Sequence, residues 1–306
     1  MRIGLSGRTS GGNRIGEQAL DAEKAGFTSI WYAGGAGGDP LLAAAVGGQA
    51  TTNVEVGTSI VQTYPCHPAL MASRATALAD LLGPDRLVLG IGASHEPVIA
   101  GMYGLSYDRP GTHMEEYLSI LLPILGGKGA NVDGSQLKAH IQPARGDGGG
   151  ASISVMVAAL GPRMLHLAGE HTAGTILWMA NARAIESYVA PALQAAASAA
   201  GRPSPRIVAG LPVAVHDDVD EARADAGKRF ALYGSLPNYQ HILERGGAAG
   251  PADAVVVGDE DSVARQLQGL LDAGATDLWT DVFPVGEDRN GSRARTMALL
   301  TDLASR

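Results

Sequence analysis

Short apolar segments alternate with longer amphipathic segments along the whole chain. Eight of the apolar segments are too short for helices and predict β-strands, at residues 2–6, 28–32, 54–59, 86–92, 154–158, 174–177, 207–215 and 277–282. Each is followed by sequence with apolar residues at helical spacing, at residues 14–25, 40–49, 68–82, 112–125, 162–168, 184–200, 262–273 and 293–304. Asp39-Pro40 is a typical helix start, because Asp caps free N–H groups and Pro fits the first helical position.

This alternation predicts an α/β fold. The strands are apolar runs, which is typical of a parallel sheet covered by helices. Eight βα units in a chain of this length predict a closed TIM (β/α)8 barrel that forms one domain over residues 1–306. An open, doubly wound sheet is the alternative, but Gly7, Gly11 and Gly12 do not fit the dinucleotide spacing expected after its first strand.

Two segments are longer than simple βα loops and are expected as insertions at the C-terminal face of the strands. Residues 126–150 are rich in Gly and polar residues, which predicts a lid or a surface hairpin. Residues 217–257 have two helical halves separated by Gly234-Ser235-Leu236-Pro237. This second segment is predicted to be helical and to lie near the mouth of the barrel.

Composition narrows the classes of partner. Hydrophobic residues make up 45% of the chain and charged residues 18%, which supports a large core and excludes general disorder. The net charge of −8 argues against nucleic acid and anionic membranes as partners. Cys66 is the one cysteine, so an intrachain disulfide framework is excluded. With no apolar run of the length of a membrane span, we expect a soluble cytoplasmic protein that acts on a small molecule.

The strand ends indicate where chemistry would take place, since barrel sites lie at the C-terminal ends of the strands. These ends are rich in aromatic, glycine and hydroxyl residues. The histidines lack the spacing of a metal motif such as H-E-x-x-H, and no P-loop or G-x-S-x-G elbow occurs, so no metal is expected and an organic cofactor is favoured. A water-excluding substrate pocket is predicted from five aromatic residues, Trp31, Tyr32, Trp178, Trp279 and Phe283, although core packing is the alternative for each of them.

A series of short segments resembles the bacterial luciferase-like flavin and deazaflavin oxidoreductases. The segments are AGFTSIW (25–31), DPLLA (39–43), VGTSIV (56–61), HP (67–68), DRLVLGIG (85–92), AALGPRM (158–164) and AGATDL (273–278). Each motif is weak by itself, but they follow the family's order along most of the chain. The resemblance is greatest to the branch that uses the deazaflavin coenzyme F420, because residues 58–61 and 160–163 look most like that branch.

The resemblance implies a barrel that binds F420, with FMN as the alternative cofactor. It implies a cis peptide bond between Ser59 and Ile60, in a bulge behind the central ring of the deazaflavin. The cofactor-binding residues that it implies are Ser59, Ile60, Val61, Thr63, Gly92, Ala93, Ser94, Ala159, Leu160, Gly161, Pro162, Arg163 and Met164.

The turn at Gly161-Pro162-Arg163 has an independent physical argument. It ends a predicted strand and begins a helix, so the free N–H groups of Gly161, Arg163 and Met164 would point at an anion such as a phosphate. The Arg163 side chain can add a positive charge. An ordinary βα turn closed by Gly-Pro is the alternative.

His95 is the candidate catalytic residue. It stands where the sugar-phosphate dehydrogenase of the branch has a catalytic glutamate, and Ala33-Gly34-Gly35 stands where the branch has an active-site histidine. These departures argue against a sugar-phosphate substrate. His95 could protonate a reduced product, since the ordinary pKa of histidine is near neutrality; a partly exposed loop histidine is the alternative.

The sequence therefore predicts an F420-dependent oxidoreductase that transfers a hydride between F420 and a small organic substrate. Two alternatives remain open: an FMN-dependent luciferase-like monooxygenase and a non-catalytic F420-binding protein. A homodimer is a further expectation from the resemblance.

Overall fold

Eight parallel strands form a closed barrel in the computed structural model, which describes residues 1–35, 37–143 and 152–306. In chain order the barrel strands are β1 Ile3–Gly7, β2 Ser29–Tyr32, β3 Glu55–Thr58, β4 Leu87–Gly92, β5 Ser154–Ala158, β6 Gly174–Trp178, β7 Arg206–Val215 and β8 Asp277–Val282. Each strand pairs with the next, and β8 pairs with both β7 and β1, which closes the sheet. The barrel prediction is confirmed, and the open doubly wound sheet is wrong.

Helices follow the strands and cover the outside of the barrel. They are α1 Asn13–Lys24, α2 Pro40–Gln49, α3 Pro68–Leu82, α4 Pro110–Leu125, α5 Pro162–His171, α6 Ala182–Ala184, α7 Ala190–Ala199, α8 Val219–Arg229, α9 Ala231–Ser235, α10 Pro237–Arg245, α11 Glu260–Asp272 and α12 Arg289–Ser305. A π-helical turn, Ile185–Val189, joins α6 to α7, and a second, Pro97–Met102, follows β4. The predicted cap of α2 is confirmed, because the Asp39 carboxylate accepts hydrogen bonds from the N–H groups of Leu41 and Leu42.

The two long segments take different forms. Residues 144–150 of the first lie outside the described residues; before them, Ala130–Asp133 and Lys138–Ile141 form an antiparallel hairpin. This hairpin packs on α4, and the Glu116 carboxylate accepts hydrogen bonds from the N–H groups of its turn. The second segment folds into α8, α9 and α10 and ends in a 3-10 turn, Pro251–Asp253, and a short strand, Val256–Gly258, which pairs with β7.

Side chains that point into the barrel form layers, because alternate residues of a strand face the same side. At the N-terminal end of the barrel, the Arg206 guanidinium donates to the Glu55 and Asp277 carboxylates at 2.8–3.2 Å. Above this ion network lies an apolar layer of Trp31, Val88, Met156, Ile176, Val208 and Trp279. The interior is therefore a packed core up to the level of Trp31 and Trp279.

Glycines on neighbouring strands make room for these indole rings. A Cβ atom on Gly57 would lie 2.3 Å from Cε3 of Trp31, and a Cβ atom on Gly210 would lie 2.2 Å from Cε3 of Trp279. Real carbon atoms do not approach so closely, so each tryptophan requires the glycine beside it. The two rings are also fixed by hydrogen bonds from their indole N–H groups to the hydroxyls of Ser29 and Ser6, both at 2.9 Å.

Candidate active site at the barrel mouth

The chain leaves β3 through a cis peptide bond between Ser59 and Ile60, which confirms the prediction for this bulge. The N–H of Gly34 donates to the Ile60 carbonyl at 3.0 Å, and a Cβ atom on Gly34 would lie 2.5 Å from that oxygen. Gly34 therefore supports the bulge from β2. The Ser59 hydroxyl is buried and has no hydrogen-bond partner within the described part of the chain.

The end of β4 lies beside this bulge. A short strand, Val61–Gln62, pairs with Ile91 and Gly92 of β4, so the two strand ends form one continuous surface. Ser94 has a φ of 60°, in the left-handed region, and its carbonyl accepts a hydrogen bond from the Tyr107 hydroxyl at 2.7 Å. Gly92 and Ala93 are buried beneath it. We call residues 59–61 and 92–94 the β3–β4 wall.

Thr63 does not face the mouth as a free ligand. Its side chain is 1% exposed, and its hydroxyl donates to the Gly92 carbonyl at 3.3 Å and lies 3.0 Å from Nε2 of His113. His113 is itself buried and stacks on Tyr64 at 3.8 Å between ring centroids. The Thr63 side chain thus supports the β3–β4 wall from behind.

The turn after β5 leads from Ala159 and half-buried Leu160 to the N-terminus of α5. Gly161 is the N-cap and Pro162 the first helical residue, as the pattern predicts, and the first helical hydrogen bond runs from Leu165 N–H to the Gly161 carbonyl. The N–H groups of the first helical turn therefore have no partner in the helix. This leaves backbone donors available to an anion at Arg163 and Met164.

The Arg163 side chain is already paired. Its guanidinium donates to the Glu115 carboxylate at 2.8 Å and to the Thr112 hydroxyl at 3.1 Å, and both charged side chains are more than half exposed. Exposed ion pairs contribute about 0–1 kcal/mol, so an incoming phosphate could exchange with Glu115 at small cost. Arg163 thus lies at the turn that could bind an anion, but its guanidinium is paired with side chains of α4.

Of the five aromatic residues predicted to line the pocket, Trp31, Trp178 and Trp279 lie on the inner face of the barrel. Tyr32 and Phe283 do not line the mouth. Trp31 is fully buried in the apolar layer inside the barrel. Tyr32, the next residue along β2, points outward: its hydroxyl would collide with a Cβ on Gly47 of α2. Phe283 is fully buried and packs edge-on against Phe230 at 5.8 Å. The assignment of Tyr32 to the pocket is wrong, because neighbouring strand residues face opposite sides of the sheet.

Trp178 and Trp279 form one side of the mouth together with a residue from α9. Their ring centroids are 4.9 Å apart, and the Tyr233 ring lies 6.0 Å from that of Trp178. We call these three side chains the aromatic wall. It lies on the β6 and β8 side, and Ile60 of the β3–β4 wall and Trp178 both pack on the apolar layer below. Both walls therefore pack on the same apolar layer.

His95 follows the β3–β4 wall and is half-buried. Its ring meets the ring of Tyr239 from α10 edge-on, with 5.5 Å between centroids, and Tyr239 in turn packs on Tyr233 at 4.7 Å. Burial lowers the pKa of His95 below its usual value of 6.5. The imidazole is therefore mostly neutral at pH 7, so it can donate or accept a hydrogen bond but is a poor cationic acid.

Several residues at the mouth were missed by the sequence-based prediction. Tyr233 and Tyr239 come from the helical insertion, and no sequence signal shows where their rings dock. Asp281 lies two residues after Trp279 on β8, so strand alternation could have placed it at the mouth. Ser6 follows from the same rule on β1, and its hydroxyl accepts the Trp279 N–H.

A cavity of about 600 Å³ opens between the end of β7 and the loop after β8. Its polar side chains already serve the fold. The His216 ring lies 2.7 Å from the Glu221 carboxylate, Arg295 donates to Asp217 at 2.8 Å, and Asp288 caps α12. The barrel mouth, where the unpaired Ser59 hydroxyl and the aromatic wall lie, is thus the better candidate for a site.

Two further observations concern ligands and membranes. Within residues 1–35, 37–143 and 152–306, no group of three or more His, Cys, Asp or Glu side chains is arranged to hold a metal ion. In the same part of the chain, no helix combines the length and the apolar character needed to cross a membrane.

Comparison with known proteins gives consistent matches. A family model described as luciferase-like monooxygenase matches residues 2–290. The chain is 27% identical over 296 residues to a 5,10-methylenetetrahydromethanopterin reductase of Methanolobus tindarius, covering 94% of this chain and 86% of the relative. It is 30% identical over 290 residues to an F420-dependent hydroxymycolic acid dehydrogenase of Mycobacterium tuberculosis, covering 86% and 77%.

A solved structure has the same fold. The coenzyme F420-dependent tetrahydromethanopterin reductase from Methanopyrus kandleri superposes with a TM-score of 0.79 at 20% identity, over 98% of this chain and 97% of that chain.

Proposed function

This chain belongs to the luciferase-like monooxygenase family, and we propose that it is an oxidoreductase that transfers a hydride between coenzyme F420 and a small organic substrate at the barrel mouth. The observation that carries a cofactor at this place is the Ser59 hydroxyl, which is buried without a partner in the described residues. A buried polar group in this state is costly unless a ligand satisfies it. The choice of F420 is supported by the relative that is named as F420-dependent.

The residues of the mouth suit a flat ring with an anionic tail. The β3–β4 wall offers the Ser59 hydroxyl and the half-buried residues Ile60, Val61 and Ser94. The N–H groups at the start of α5 offer donors to a phosphate. A bound deazaflavin would supply the hydride chemistry, whereas the chain supplies binding, orientation and exclusion of water.

His95 is proposed as the group that exchanges a proton with the substrate. Its neutral imidazole, held edge-on against Tyr239, can donate a hydrogen bond to a carbonyl or accept one from an alcohol. Since burial lowers the pKa of His95 below 6.5, the protonated ring is lost already below neutral pH, and proton donation from it should weaken as the pH rises through that range. His95→Gln, which retains a hydrogen-bonding amide without a titrating ring, should therefore reduce kcat with little change in F420 affinity.

Side-by-side titrations with F420 and FMN test the cofactor assignment. We expect F420 to bind with a dissociation constant in the micromolar range or below and FMN to bind at least about tenfold more weakly, a difference of about 1.4 kcal/mol. Ser59→Ala should weaken F420 binding by about fivefold, because one hydrogen bond contributes about 1 kcal/mol. Ser187→Ala, an exposed serine whose hydroxyl donates to the Arg183 carbonyl, is the matched control and should change nothing.

The other outcomes favour the alternatives. Equal or tighter binding of FMN would favour an FMN-dependent monooxygenase. Tight F420 binding without turnover across carbonyl, enone and alcohol substrates would favour a non-catalytic F420-binding protein. If neither cofactor binds, the proposed function is refuted.

A further inference from the structure

One carboxylate at the barrel mouth is not used by the fold. Asp277, at the start of β8, is held by Arg206 in the ion network at the bottom of the barrel. Asp281, at the other end of the strand, lies on the same face as Asp277 and Trp279 because the three residues are two apart. Its side chain is half-buried, and no ion pair or hydrogen bond involves it in the part of the chain that the structure describes.

The Asp281 carboxylate lies close to the aromatic wall. Burial, and then the negative charge of Asp281, raise the pKa of the Tyr233 phenol above its usual value of 10.0. Tyr233 contacts Trp178, and Trp178 contacts Trp279, which precedes Asp281 on β8 by two residues. The Asp281 carboxylate and the three rings of the aromatic wall therefore lie on the same side of the mouth.

Two arginines on neighbouring segments have other contacts. The Arg229 guanidinium is exposed and lies over the Phe230 ring at 5.7 Å. Arg293 donates to the Val282 carbonyl at 3.3 Å, from outside the barrel. Neither side chain forms an ion pair with Asp281 among the described residues, so the carboxylate has no counter-ion from the protein.

We propose that the substrate of this enzyme carries a positive charge, as a substituted ammonium group, which binds between Asp281 and the aromatic wall. The inference rests on the proposed function for its reaction, but the binding itself does not require the cofactor. An organic cation gains from the faces of Trp and Tyr rings through cation–π attraction, most strongly where water is excluded. A partly desolvated carboxylate adds a direct charge interaction.

The test uses choline and its uncharged isostere, 3,3-dimethylbutan-1-ol, with the purified 306-residue chain, with and without F420. Calorimetry measures affinity, and tryptophan emission reports the place, because all three tryptophans of the chain lie inside the barrel or at its mouth. Choline is expected to bind at least about tenfold more tightly than the alcohol and to shift the emission. Equal affinities for the two probes would overturn the proposal.

Variants locate the effect. Asp281→Asn keeps the shape of the side chain and should weaken choline binding about tenfold while leaving the alcohol and F420 unchanged. Asp272→Asn, an exposed residue at the end of α11, removes the same charge from the surface and should leave choline binding as it is. A similar loss in both variants would mean that net charge alone attracts the cation, and no loss in Asp281→Asn would also refute the site.

The two proposals fail separately. If F420 binds but choline does not, the ammonium site is wrong and the cofactor assignment stands. If choline binds at Asp281 and F420 does not, the binding site stands and the proposed hydride transfer is refuted.

Discussion

Replacing Gly210 by alanine should destabilise the barrel, although alanine is the smallest possible addition. The new Cβ would lie 2.2 Å from Cε3 of Trp279 and 2.6 Å from the Leu177 carbonyl oxygen. The carbonyl belongs to β6 and cannot move without disturbing the sheet, so the indole ring and β7 must shift. Overpacking of this kind costs about 1–3 kcal/mol in measured cores.

Gly269→Ala is the matched control, with the opposite sign. Gly269 lies within α11, three residues before its end, and a Cβ there would meet nothing within 4 Å. Because glycine in a helix interior is about 0.8–1 kcal/mol less favourable than alanine, this variant should be more stable than the parent. The same chemical change thus destabilises at one site and stabilises at the other.

The assay is urea unfolding followed by far-ultraviolet circular dichroism, together with tryptophan emission of the native state. Gly210→Ala should unfold at lower urea, and its native emission should change because the ring of Trp279 moves. Gly269→Ala should unfold at higher urea with unchanged emission. If Gly210→Ala is as stable as the parent, the close packing of Trp279 against β7 is refuted.

Two further expectations concern charge. Burial lowers the pKa of His113 from 6.5 to about 4, so between these pH values the unfolded chain is protonated at this residue and the folded protein is not. The free energy of unfolding is therefore retained above pH 6.5 and should fall by about 3 kcal/mol as the pH drops toward 4. In His113→Gln, the midpoint of urea unfolding should depend less on pH between 4 and 6.5. Parallel curves of the midpoint against pH for the variant and the parent would contradict this expectation. Arg163→Ala should weaken F420 binding about three- to tenfold, less than a fully free arginine would contribute, while Glu115→Gln should tighten it by releasing Arg163; unchanged dissociation constants in both variants would show that Arg163 does not reach the phosphate.

The strands and most helices follow from local sequence, and the structure confirms them. Apolar runs between amphipathic segments specify buried strands and covering helices, because burial on two faces leaves no polar alternation. Asp39 caps α2 as its sequence predicts, since the cap needs only residues two and three positions away. The cis bond at Ser59–Ile60 was predicted from the resemblance to a family, and not from local physics.

The assignment of Tyr32 shows an error that the sequence itself could have prevented. Trp31 and Tyr32 are neighbours on one strand, so they cannot both face the interior. The same rule places Asp281 beside Trp279 at the mouth. Apolar runs predict the strands, and the face on which each side chain lies follows only when strand alternation is applied to those runs as well.

Other parts of the site depend on contacts between distant segments. Nothing in the sequence indicates a partner for the Arg163 side chain, but α4 brings Glu115, 48 residues away, within hydrogen-bond distance. Tyr233 completes the aromatic wall only because α9 folds back over β6. The sequence by itself determined the barrel and the positions of its strand ends, since these depend on periodicity and neighbouring residues. Only the tertiary structure decided which charges are paired and which rings meet, because those contacts depend on how the helices pack on the closed sheet.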